Sequence, residues 1–328
     1  MYKFKEPIMF KTKVTEMLGC RYPIIGGTMA RISNAEFVAA MCNAGAVGVL
    51  ASANYHSREE FSEAVARLKD LTDQPFAVNI NLFPAMRTVD NNDFVDVLIE
   101  QGVRIVETSG HAAPTELSLR FKEAGMVWIH KCVGVRYALK AQGLGADFVT
   151  VVGYENGGAT GQLDLGTLVL VPSVIEALDI PVIGGGGVAD GRGLLAVLSL
   201  GAEGVIMGTR LLMTQEAPIH DNLKKALIEA NELDTRLVMR SIGATHRVWA
   251  NSVAEKVLEL EGKGADLKEL LNLAAGEKAN IMFTQGDLDA GIIACGQNVG
   301  LAHDIPTLKE LFDRMIGEAT EVVKKIAT

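Results

Sequence analysis

Over its first two hundred residues the chain alternates short, nearly unbroken apolar runs with longer segments whose apolar positions recur at helical spacing. The runs fall at 23–26, 46–51, 76–80, 104–108, 127–131, 148–152, 181–184 and 204–207. Each is bounded by Gly, Pro or polar turn residues and is short for a helix, so the pattern predicts eight strands. Strands that read as continuous apolar runs, rather than alternating ones, are those covered on both faces, which points to a parallel sheet. The intervening segments read as amphipathic helices. In "NAEFVAAMCN" Asn34 is placed to cap the amino end and Gly45 to terminate the carboxyl end. "VRYALKAQGLGADFV" and "GRGLLAVLSLGAEGVIM" repeat the same grammar of helix, glycine turn and strand.

Eight such units close naturally into a (β/α)8 TIM barrel. The competing arrangement is a doubly wound open sheet, which uses the same units but carries its glycine fingerprint after the first strand. Here the richest glycine clusters follow the sixth, seventh and eighth strands, which favours the barrel. After Arg210 the rhythm stops. Residues 217–278 read as several amphipathic helices, "HDNLKKALIEANEL" and "ADLKELLNLAAGEKA" among them, and a last helix is expected over 306–326. The implied organisation is a barrel over 10–215, an added helical region over 216–305 that contributes to the substrate pocket, and a carboxyl-terminal helix over 306–328 that packs on the barrel.

Composition narrows the chemistry. With 34 glycines, 48% hydrophobic and only 5% aromatic residues, the profile is that of a tightly packed α/β enzyme. The net charge of −9 disfavours a nucleic-acid partner. Cys20, Cys42, Cys132 and Cys295 are widely spaced without a CxxC pair, so buried thiols are expected rather than a metal site or disulfide framework. The amino terminus does not read as a signal peptide and no apolar run is long enough to span a membrane, so a cytoplasmic location and a small-molecule substrate are expected, with a homodimer left open.

The glycines carry the clearest chemical signal. "GGGGVADGRG", 184–193, ends a strand and opens a helix, and its glycines allow backbone amides to approach an anion. "MGTR", 207–210, supplies a second such loop, with Thr209 as an added hydroxyl donor, and the two occupy the usual phosphate position of the barrel. Either loop alone could serve only its turn; together they read as a phosphate socket. A third cluster, "GYENGGATGQ", follows the sixth strand and would cover the mouth, or form a plain surface loop. Asn79, Glu107 and Lys131 sit at strand ends on the catalytic face. Lys131 could stabilise negative charge on a reduced cofactor, form a Schiff base, or pair with Glu107. The Schiff base would make the protein a phosphate-binding lyase that needs no redox cofactor.

Taken together, "YPIIGGTM", "PFAVNINLFP", "VETSG", "IHKC", "VRYALKAQGLGAD", "GGGGVADGRGL", "GAEGVIMGTRLL", "EAPIH" and "GDLDAGIIACGQNVG" resemble the nitronate monooxygenase and 2-nitropropane dioxygenase family. That group also contains NADH:quinone reductases and flavin-dependent enoyl-acyl-carrier-protein reductases, and the quinone reductase branch is the most similar. The resemblance spans almost the whole chain. It implies FMN, reduced by NADH or NADPH, with the phosphate on Gly186, Gly187, Gly208 and Thr209. Met29, Asn79 and Lys131 match positions near the flavin ring, Gly158 lies in the covering loop, and Gln297 would reach the pocket from the added region. The implied reaction passes electrons to a quinone or another small conjugated acceptor, with nitronate oxidation and enoyl reduction as alternatives. The chain departs from the family at two places: Ala159 stands where a histidine is usual, and Val152 where the quinone reductase branch often has aspartate. Alanine cannot accept a proton, so nitroalkane oxidation loses its base. His111, beyond the fourth strand, is a candidate to replace that imidazole, or else a loop histidine bonded to backbone or water. No histidine spacing suits a metal.

Overall fold

The computed structural model describes residues 10–82, 90–110, 112–274 and 276–327. Eight parallel strands form a closed barrel: β1 (Ile24–Gly26), β2 (Val47–Ala51), β3 (Ala77–Asn81), β4 (Ile105–Ser109), β5 (Val127–Cys132), β6 (Phe148–Val152), β8 (Val182–Gly185) and β9 (Gly204–Met207). β7 (Gly158–Ala159) lies outside the barrel, in the loop after β6. Closure comes from β9 pairing back onto β1, with Ile25 opposite Ile206. The strands match the expected ones to within a residue or two at each end, because each apolar run is limited by its own turn residues.

Successive side chains of a strand point to opposite faces, and the two faces here bury against different partners. Inside the barrel pack Ile25, Val47, Val49, Ala77, Ile105, Ile129, Phe148, Ile183 and Ile206. Val14 and Leu18 of the helix Lys13–Leu18 belong to the same cluster and close its amino-terminal end. Outside, Leu50, Val78, Val106, Trp128, Val149 and Val205 pack against the ring of helices. Those helices start where the sequence places caps. Asn34 accepts from Phe37 N at 2.9 Å, and Asp190 accepts from Arg192 N and Gly193 N at 2.9 and 3.1 Å.

The region after Arg210 is not wholly helical. The helices Asp221–Glu229, Ser252–Gly262, Leu267–Ala274 and Gly276–Gln285 are accompanied by two strands, β10 (Thr235–Val238) and β11 (His246–Trp249). These form an antiparallel sheet in the order β10-β11-β7. The expectation of helices alone over 217–278 is corrected here. Four-residue strands, each interrupted by an arginine, give too little alternation to read, and their third partner lies some ninety positions away in the loop after β6.

The final helix, Leu308–Ile326, begins with a capping box between Thr307 and Glu310 and buries Leu308, Leu311, Phe312, Met315, Ile316 and Ala319. It crosses the helix Gly191–Ser199 so closely that a Cβ on Gly191 would lie 2.3 Å from the Met315 carbonyl oxygen. Arg210, 2% exposed, ties this helix to the end of β9. It donates to Asp304 Oδ1 at 2.6 Å, and Asp304 Oδ2 accepts from Arg314 at 2.6 Å.

Candidate active site

Alternation along the strands puts a polar layer directly above the apolar filling of the barrel. Asn79 follows Ala77, Glu107 follows Ile105 and Lys131 follows Ile129, two residues on and on the same interior face. The β3–β4 register sets Asn79 beside Glu107, and Asn79 Nδ2 donates to Glu107 Oε1 at 2.7 Å and to Ser109 Oγ at 3.1 Å. Thr28, just past β1, donates to the same Glu107 oxygen at 3.0 Å. Burial pushes the Glu107 carboxyl above its ordinary value; the Lys131 charge and the hydrogen bonds from Thr28 and Asn79 pull the other way.

Lys131 lies in register with Ser109 and Thr150 and is partly exposed at the barrel mouth. It forms no ion pair or hydrogen bond with any described residue, Glu107 included, and acts on that carboxyl only through space. Thr150 Oγ1 is buried without a partner among the described residues. A free ammonium group above a buried carboxyl thus faces the mouth.

The glycine loops lie at the ends of β8 and β9. Gly186 and Gly187 have φ of +95° and +78°, which a side chain rarely adopts, and a Cβ on Gly186 would sit 2.8 Å from Gly153 N and Thr167 Oγ1. Gly208 differs. The nearest atom to a Cβ there is Met29 Sδ at 3.9 Å, so packing does not demand glycine, and a side chain would only fill the space between the β9 loop and Met29. Two neighbouring loops of half-buried glycines, with open space at Gly208, fit a phosphate group.

The late glycine segment docks on these loops. Gly296 N donates to Thr209 Oγ1 at 2.8 Å, Gln297 N to the Glu155 carbonyl at 2.9 Å, and Asn298 Nδ2 to the Val188 carbonyl at 2.7 Å. The sequence reading missed Glu155 and Asn298. Asn298 ties the late segment to the loop after β8, while the Glu155 carboxylate accepts from Thr167 N at 3.2 and 3.1 Å and so holds the amino end of the helix Thr167–Ile175. The Asn298 bond spans 110 positions and the Glu155 bonds cross a loop of 12, so neither leaves a signal at helical or strand spacing.

Gly158 and Ala159 form β7, and the β7–β11 register sets Ala159 opposite His246 and Gly158 opposite Arg247. Directly opposed residues in an antiparallel pair project to the same face. His246 Nδ1 lies 2.7 Å from the Ala244 carbonyl oxygen. A carbonyl only accepts, so Nδ1 carries the proton and Nε2 of the neutral ring keeps its lone pair. An imidazole of fixed tautomer therefore stands across the ladder from the position where the sequence lacks one. His111 lies outside the described residues. His130 points outward between Trp128 and Thr108, and burial lowers its pKa to about 4. All four cysteines are buried and free, with burial pushing each thiol up to about 12. Among the described residues there is no group of His, Cys, Asp and Glu suited to a metal, and no helix long and apolar enough to cross a membrane.

A closed barrel with a polar mouth, two glycine loops at β8 and β9 and the late glycine segment docked on both defines a (β/α)8 barrel with the makings of a phosphate site. Residues 11–318 match the nitronate monooxygenase family, and the chain belongs to that family, whose members are flavin-dependent. Relatives divide in what they are named for. Proteins of Rhodococcus jostii and Mycobacterium tuberculosis, each 33% identical over 94% of this chain and 96% of their own length, are called (3aS,4S,5R,7aS)-5-hydroxy-7a-methyl-1-oxo-octahydro-1H-indene-4-carboxyl-CoA dehydrogenase. A Staphylococcus saprophyticus protein, 28% identical over 96% of this chain and 99% of its own, is called a probable nitronate monooxygenase. Among solved structures, FabK of Thermotoga maritima superposes with a TM-score of 0.89 at 32% identity, covering 97% of this chain and 98% of that one.

Proposed function

We propose that this protein is an FMN-dependent NAD(P)H oxidoreductase that exchanges electrons with a small conjugated acceptor. An enoyl or acyl thioester is favoured over a quinone or a nitronate. Bound FMN would supply hydride chemistry of its own, and the chain would bind, orient and polarise. Gly186, Gly187, Gly208 and Thr209 would hold the phosphate. Met29, Asn79, Lys131 and Gln297 would border the ring, beneath the loop that carries Gly158.

The observation that carries the reading is Lys131, an ammonium at the same barrel mouth as the glycine loops and without a partner among the described residues. A fixed positive charge there favours negative charge developing on a cofactor or on a carbonyl oxygen. The thioester preference draws on relatives named for a carboxyl-CoA substrate and on the likeness to FabK. Membership of a flavin-dependent family counts against the lyase alternative.

The protein as purified, or after reconstitution with FMN, is expected to be yellow and to bleach anaerobically with NADH or NADPH. A colourless protein that cannot take up FMN would end this reading. Turnover with a panel of enoyl thioester, quinone and nitronate then separates the acceptors.

His246 supports a second reading, nitroalkane oxidation, because its basic Nε2 could replace the base missing at Ala159. His246→Asn keeps a donor for the Ala244 carbonyl but has no base. Nitroalkane turnover lost in that variant, with preformed nitronate turnover retained, would favour this reading; no nitroalkane turnover in the parent protein would dismiss it.

A further inference from the structure

A cavity of about 290 Å³ opens on the rim of the mouth, lined by Arg31, Asn34, Asn54, Tyr55, His56 and, from the added region, Asn280. It lies past the ends of β1 and β2. The approach to it is short, since Met29, two residues before Arg31, borders the open space at Gly208.

Arg31 combines a left-handed backbone with a side chain that no carboxylate engages among the described residues. Its φ is +67°, a conformation that disfavours any residue with a Cβ relative to glycine, and Asn54 clamps it there. Asn54 Oδ1 accepts from Arg31 N at 2.5 Å, and Asn54 Nδ2 donates to the Ser33 carbonyl at 3.3 Å. The Arg31 guanidinium is exposed and has no carboxylate partner among the described residues. Arg58, Arg67, Arg120, Arg192, Arg236 and Arg240 each pair with an acid, whereas Arg31 shares the lack of a carboxylate partner among the described residues with Arg104, Arg136 and Arg247. The nearby carboxylates are engaged: Glu36 with Arg67, and Glu60 with His56 N at 2.9 Å. An exposed guanidinium on a clamped backbone at the wall of a polar cavity, without a carboxylate partner among the described residues, is suited to bidentate recognition of a phosphate.

We propose that this rim cavity binds the phosphomonoester-bearing adenosine of a nucleotide substrate, with Arg31 on the phosphate and His56 and Tyr55 beside the base. The proposal rests on the reading that the substrates are a nicotinamide nucleotide and an acyl thioester. Two sources share the chemistry: the 3′-phosphate of a coenzyme A thioester and the 2′-phosphate of NADPH. Either molecule carries its reactive end on an extended arm, which can run from the rim to the mouth.

The test uses calorimetry on the flavin-loaded protein, with adenosine 3′,5′-bisphosphate, adenosine 2′,5′-bisphosphate and 5′-AMP as probes. At least one bisphosphate is expected to bind roughly tenfold or more tightly than 5′-AMP, and Arg31→Gln to remove that preference. Arg31→Gly is the folding control. Glycine accepts the left-handed backbone, so this variant should melt no lower than the parent while losing the same affinity; a merely structural arginine would lose stability instead. Steady-state KM values identify the source. Arg31→Gln should erase either the advantage of a coenzyme A thioester over its pantetheine analogue or that of NADPH over NADH. Equal binding of mono- and bisphosphates by the parent protein, or an Arg31→Gln variant that still discriminates between them, would overturn the proposal. Failure to bind FMN would instead sink the functional reading, and calorimetry reports on the two separately.

Discussion

Glu107 and Lys131 lie on the interior face at the barrel mouth, and each makes a separable prediction. Burial raises the Glu107 carboxyl above its ordinary value of 4.5. Below that value the folded and unfolded states are both protonated and no stability is lost. As pH rises from there to the raised folded value, the unfolded chain releases its proton while the folded one keeps it, so stability falls through that window and then levels off. Glu107→Gln retains an oxygen for Thr28 and Asn79 but has nothing to ionise. Its melting temperature relative to the parent should therefore be higher at pH 8 than at pH 4, and a difference independent of pH would refute the assignment. Lys131→Met removes the free cation. A loss of roughly a hundredfold in kcat/KM is expected, the scale of deleting one electrostatic stabiliser, with a melting temperature within a few degrees of the parent. Unchanged kinetics would show that Lys131 does not face the reaction.

At the scale of elements, close approach of backbones fixes how the terminal helix sits on the barrel. The Cβ that Gly191→Ala would add meets the Met315 carbonyl oxygen at 2.3 Å, Glu318 Cβ at 2.5 Å and Ala319 N at 2.6 Å, none of which can move without displacing a helix. A destabilisation of about 2 kcal/mol or more is expected, as for overpacking of a rigid contact, and thermal or urea melts measure it. A neutral effect would mean that the two helices slide apart freely. The eight barrel strands were legible because each is a local apolar run with its own turn residues. The sheet of β10, β11 and β7 was not, because its pairing depends on a two-residue strand remote in sequence.

At the scale of the whole molecule, the glycine loops belong to a composite. Gly296, Gln297 and Asn298 fasten three barrel loops together, and Arg210 and Asp304 fasten the terminal helix beneath them. A ligand that grips these loops stabilises the entire fold by mass action, about 2.7 kcal/mol at a hundredfold excess over its Kd. FMN should raise the melting temperature of the cofactor-free protein by a few degrees, and riboflavin, which lacks the phosphate, by much less at equal concentration. Equal shifts would place the binding energy on the ring and remove the role given to Gly186, Gly187, Gly208 and Thr209.

Sequence alone settled the barrel, its strand order of succession and the position of both glycine loops, because hydrophobic period and turn chemistry are local properties that survive without a fold. It also brought out Lys131 and Asn79 as strand-end residues on the catalytic face. Tertiary structure decided which polar groups meet: Glu107 with Thr28 and Asn79, His246 opposite Ala159, Thr209 with Gly296, and Asn54 with Arg31. Each of those relations is set by strand register or loop docking between segments apart in the chain, and such contacts come into being only when the barrel closes and the added region folds down upon it.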